Sequence, residues 1–175
     1  MLARLIDATS EAAGKLAAWA FFAIALAVTF EVVVRADLVR DLFGTAPTKW
    51  VDEISRIIQI WATFLAAGFV LKHRQMVVID VAFRNPDTLA RRLSETLAIV
   101  VMLIFTLVAI YHGFGLWLKS TLAGHTTDSF LAPPKWFTHA SVWVGLSLLS
   151  LQGLVELWRV WTIGVPKDAP TGGGH

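Results

Sequence analysis

Apolar positions along this chain gather into four long runs, at residues 16–34, 54–71, 97–118 and 137–157, and the polar residues concentrate between them. Each run is close to the ~20 residues a helix needs to cross bilayer hydrocarbon. The pattern predicts an all-α membrane protein with four transmembrane helices. The first fifteen residues differ. Leu2, Leu5, Ile6, Thr9 and Ala13 recur at helical spacing, with Arg4, Asp7 and Glu11 on the other side. That pattern predicts an N-terminal amphipathic interfacial helix leading into the first span. It does not read as a cleaved signal peptide, because Glu31 and Arg35 stand where a cleavage site should be.

The connections have characters of their own. Residues 36–49 hold Gly44 and Pro47 and read as a loop. In residues 75–95, Asn85 is a candidate N-cap with Pro86 in the first turn of the next helix. Residues 76–83 are apolar apart from Asp80 and are expected along the interface. Residues 119–135 read as a longer polar loop, and Pro133-Pro134 fixes the start of the fourth span. The expected organisation is one membrane domain over 1–165, followed by a flexible Pro/Gly-rich tail over 166–175.

Charge adds an orientation. The N-terminus, the middle loop and the C-terminus hold nine Lys and Arg (Arg4, Lys15, Lys72, Arg74, Arg84, Arg91, Arg92, Arg159, Lys167). The first and third loops hold five (Arg35, Arg40, Lys49, Lys119, Lys135). Positive residues stay inside, so both ends are expected in the cytoplasm. Trp19, Trp158 and Trp161 then fall at the inner boundary and Trp50, Trp117 and Trp136 at the outer one, as an aromatic belt requires. The chain has no cysteine, which excludes disulfides, thiolate metal sites and a Cys nucleophile. Its net charge of only +2 gives no basic patch for nucleic acid. No Gly-rich phosphate loop, HExxH or G-x-S-x-G occurs, so no enzymatic activity is expected. Ser141, Gly145, Ser147, Leu149 and Ser150 read as helix-packing positions.

The informative polar residues sit in and beside the second span. Asp52, Arg56, Gln59 and Thr63 recur at steps of four, three and four, and Ala66 and Ala67 continue the stripe. Glu53 lies one turn from Arg56 on a neighbouring face. One reading is an intrahelical ion pair near the headgroups. The other is a contact face for further helices, and it is preferred because Gln59 and Thr63 lie too deep to reach water. Glu31 and Arg35, again four apart, form either a local pair or part of a cross-helix network with Asp52, Glu53 and Arg56. His112 and His139, near the outer ends of spans three and four, read first as hydrogen-bonded interfacial histidines, with axial haem ligands as the alternative. The chain would then be the membrane anchor of a respiratory oxidoreductase. A free-standing small transporter or channel is a further alternative.

The order and spacing of several motifs resemble the small membrane subunit, Q or DctQ-type, of tripartite ATP-independent periplasmic (TRAP) transporters. The motifs are Trp50-Val51-Asp52-Glu53-Ile54-Ser55-Arg56 and the small residues Ala66-Ala67-Gly68. They continue with the basic stretch 72–80 ending at Asp80, then Arg35, and Pro134-x-Trp136. One position departs: Met76 stands where the family often has His. The resemblance implies an accessory subunit without cofactor. Its implied partners are a large permease subunit holding the sodium and substrate sites, a periplasmic binding protein delivering an organic acid, and the lipid of the inner membrane. Taken with the stripe, the candidate structural or partner-contact residues are Glu31, Arg35, Trp50, Asp52, Glu53, Arg56, Gln59, Thr63, Ala66, Ala67, Gly68 and Asp80.

Overall fold

In a computed structural model of the chain, residues 1–36, 48, 50–73 and 88–164 are described. Four helices account for nearly all of them: α1 (Leu2–Arg35), α2 (Trp50–Lys72), α3 (Leu89–Leu122) and α4 (Lys135–Thr162). Each is long and apolar enough to cross a membrane. The all-α, four-span reading therefore holds. The amphipathic start is no separate helix, however. It is the first part of α1, whose 34 residues extend ~51 Å, well beyond the ~30 Å of hydrocarbon. Nothing in residues 10–17 breaks a helix, and Ser10, Gly14 and Ala17 are all buried along it.

The start of α3 also differs in detail. Thr88 is its N-cap, with the side chain accepting from the Arg91 N–H. Asn85, Pro86, Gly44, Pro47, Asp80, the apolar residues 76–83 and the tail 166–175 lie outside the described residues. The fourth span starts as the sequence suggests, with Pro134 as N-cap of α4.

The helices alternate in direction. Met1, Lys72, Leu89 and Thr162 mark one end, called proximal below, and Arg35, Trp50, Leu122 and Lys135 mark the distal end. Their packing order is α1–α2–α4–α3. Among the described helices, α2 packs against α1 and α4, α3 touches only α4, and α1 meets α4 to a lesser extent. The result is an open row, not a closed bundle. Half of α4's most apolar stretch is buried, against 11% in each of the other three, so α4 is the keel.

Local chemistry explains each seam. Between α2 and α4 a Cβ at Gly145 would stand 2.5 to 2.7 Å from Phe64, so only glycine lets the two backbones approach this closely. Between α3 and α4, Ile99 and Val160 centre a cluster with Met102, Leu103 and Leu157. Side-chain hydrogen bonds run along the same seam: Ser150 to Thr106 (3.0 Å), Trp161 to Thr96 (3.1 Å), and the Ser120–His139 pair (2.9 Å). The connection from α3 to α4 is compact. Gly124 takes a left-handed conformation (φ 61°), with the Gly124 and His125 N–H groups returning to the Thr121 and Ser120 carbonyls. Thr127 N–H to Pro133 O (3.0 Å) and Lys135 N–H to His125 O (2.9 Å) then close it.

Candidate functional site

At the distal end the chain brings polar residues of α1, α2 and the α3–α4 connection near one another, but not in one network. Arg35 Nε donates to Glu31 Oε1 at 2.6 Å, and Arg35 Nη2 reaches Asp52 Oδ2 at 3.4 Å. So the local pair and a cross-helix link both exist, with Arg35 as the hinge between α1 and α2. Glu53 goes elsewhere. Its carboxylate accepts from the Ser129 hydroxyl and, at 2.9 Å, from the Leu131 N–H. It straps the α3–α4 connection onto the start of α2. These are charge-assisted hydrogen bonds, and Arg56, one turn along the helix, makes none to this carboxylate.

Arg56 is exposed and has no ion pair or hydrogen bond with any described residue. Asp52, Gln59 and Thr63 share its exposed face. Thr63 satisfies its own hydroxyl by donating to the Gln59 carbonyl at 2.8 Å. Ala66 and Ala67 are half-buried on the same side, and Trp50 is exposed at the head of the helix. Gly68 is buried, close to Ser10 and to the α4 backbone at Leu148. The stripe is thus continuous, and it turns away from the positions that α2 buries, namely Val51, Ser55, Ala62 and Gly68.

At the proximal end the structure builds a cluster that the sequence reading passed over. Gln152 is its centre and is fully buried. Its Oε1 accepts from Ser10 Oγ at 2.8 Å, and its Nε2 donates to Asp7 Oδ1 and Glu156 Oε1, both at 3.1 Å. Arg159 closes the ring, with Nη1 2.6 Å from Glu156 Oε1 and Nη2 on Asp7 Oδ2. Beside it, Lys72 Nζ donates to Glu11 Oε2 at 2.8 Å and to the Asp7 carbonyl at 3.3 Å, and His73 Nε2 lies 3.0 Å from Glu11 Oε2. A signal for it was present. Gln152, Glu156 and Arg159 repeat at four and three in an apolar run, and Asp7, Ser10 and Glu11 fall within one turn.

The two histidines weighed as haem ligands are separately engaged. His139 pairs with Ser120 on the α3–α4 seam, whereas His112 is exposed on α3 with its ring edge-on to Tyr111. Among the described residues no group of three His, Cys, Asp or Glu is placed to hold a metal ion.

Four apolar helices in a row, stapled by polar residues at both ends, define a multi-span membrane protein. Residues 24–163 match the family described as tripartite ATP-independent periplasmic transporters, DctQ component. The chain belongs to that family. It is also similar to the isethionate TRAP transporter permease protein DctMQ of Oleidesulfovibrio alaskensis, at 24% identity over 135 residues. That alignment covers 77% of this chain and 21% of the relative, so the chain spans about a fifth of the curated relative it matches. No solved structure matches the chain.

Proposed function

We propose that this chain is the accessory membrane subunit of a TRAP-type transporter in the bacterial inner membrane. It packs beside a large permease subunit, enlarges that subunit's fixed scaffold, and performs no transport alone. The large subunit takes an organic acid from a periplasmic binding protein and couples its uptake to sodium. The isethionate named for the similar permease is a small organic anion of that class.

One observation carries the reading beyond family membership. Among the described helices α3 touches only α4, so they form a slab, with no walled path for a solute between them. A slab with apolar outer faces is what a scaffold extension requires: α1 shows Phe21, Phe22 and Leu26, and α3 shows Leu97, Ile104 and Phe105. The proximal end lies in the cytoplasm on this reading, supported by the excess of Lys and Arg there.

Reconstitution tests it. The large subunit and binding protein are placed in liposomes with and without this chain, and sodium-driven uptake is measured. Uptake should depend on the chain, and full uptake without it would refute the scaffold role. Single cysteines at Thr126 and Gly172 test the orientation. An impermeant thiol reagent applied to intact spheroplasts should label only the first.

A further inference from the structure

Arg56 and Gln59 have no side-chain partner among the described residues and stand on a face of α2 that neither α1 nor α4 covers. Depth makes this consequential. At ~1.5 Å per residue, Arg56 lies ~9 Å along the helix from Trp50 and Gln59 ~14 Å, within ~30 Å of hydrocarbon. An arginine at that depth can send its guanidinium back toward the headgroups. A glutamine amide has no such reach, and in lipid it must find a protein partner or stay unsatisfied.

The nearby groups that could have answered these two are already engaged. Glu53 is held by Ser129 and Leu131, and Asp52 faces Arg35. Thr63 has spent its proton on the Gln59 backbone carbonyl, not on the amide. The stripe therefore offers one uncompensated cation and, one turn deeper, one uncompensated amide. Ala66 and Ala67 follow with no bulky side chain to hold a neighbour away.

We infer that this face of α2 docks a membrane helix of the large permease subunit. That helix carries a carboxylate at the depth of Arg56 and an amide or hydroxyl group about one turn deeper, opposite Gln59. The inference rests on the accessory-subunit reading and names the surface and chemistry by which that subunit binds. The occupant is a helix because a helix satisfies its own backbone in lipid. It is acidic because Arg56 is the group it must match, and its backbone comes close because the stripe ends in alanines. A lipid phosphate answers Arg56 but not Gln59, which lies below headgroup depth. The face of α1 offers Thr29, whose hydroxyl is already on the Ala25 carbonyl at 2.7 Å, and that of α3 offers Tyr111 and His112, but neither sets a cation one turn above an amide.

The test uses the complete transporter in native membranes. A photo-crosslinking amino acid is placed singly at Thr63, Ala66, Phe22 and Val108. Thr63 and Ala66 should crosslink to the large subunit about tenfold more strongly than Phe22 and Val108. In parallel, Arg56→Glu should lower the amount of large subunit co-purified by about tenfold or more, with Arg56→Lys retaining most of it. Reversing one carboxylate on the partner helix should restore the Arg56→Glu complex. The crosslinking arm does not depend on how the charge variant folds. If the wild-type chain co-purifies no large subunit, the accessory-subunit reading itself falls. If the complex forms but crosslinks arise from Phe22 or Val108, or Arg56→Glu binds normally, the docking face is wrong and the accessory role stands. A Thr63 crosslink to a second copy of this chain also overturns the inference.

Discussion

The two ends of the helix row use similar residues to different effect. At the proximal end, Asp7, Ser10, Gln152, Glu156 and Arg159 are enclosed between α1 and α4, and every polar atom of the Gln152 amide group is engaged. At the distal end the contacts are pairwise and wetter. Arg35 is half exposed, Asp52 more so, and the buried Glu31 Oε2 has no hydrogen bond. Charge type does not separate the two ends. Enclosure does, because a group cut off from water depends wholly on its protein partners. The proximal cluster acts as a lock among helices, and the distal contacts act as adjustable straps at an edge.

Substitutions can break or sharpen that contrast. The largest effect is expected for Arg159→Ala, which leaves Asp7 and the buried Glu156 without their cation. A loss of ~3–5 kcal/mol of unfolding free energy in detergent is expected. Gln152→Leu comes next, at ~2–3 kcal/mol, since it strands Ser10 and removes a donor from both carboxylates. Combined with Ser10→Ala it should cost less than the sum of the two, and strict additivity would show that the 2.8 Å contact carries no coupling. Arg35→Ala should lower the melting temperature by less than either. An equal drop would erase the distinction between the ends.

Glu53→Gln should be milder still overall, about 1 kcal/mol, with its effect confined to one place. Amide exchange at Leu131 should speed up while the helices keep their protection. Unchanged exchange there would mean that the strap does not hold the loop. Smallest of all is Lys15→Ala. Its side chain is 71% exposed and its ammonium stands 3.8 Å from a Glu11 that keeps Lys72 and His73, so no change in stability should be measurable.

What was legible in the sequence was local. A span requires only enough consecutive apolar residues, so four helices followed from four runs, and Pro134 fixed the start of the last one. The stripe from Asp52 to Thr63 was legible for the same reason, because helical spacing alone puts those residues on one face. The partners of those residues were not legible. Glu53, one turn from Arg56, is claimed by Ser129 and Leu131 more than seventy positions away. Gln152 meets Asp7 across 145 positions. Those pairings depend on the row order α1–α2–α4–α3, which is set by how closely faces such as Gly145 and Phe64 can approach. Periodicity fixes the face on which a side chain stands, but only the packing of helices remote in sequence decides what stands opposite it. In a membrane, where water cannot substitute for a missing partner, that decision separates a locked core from an open docking face.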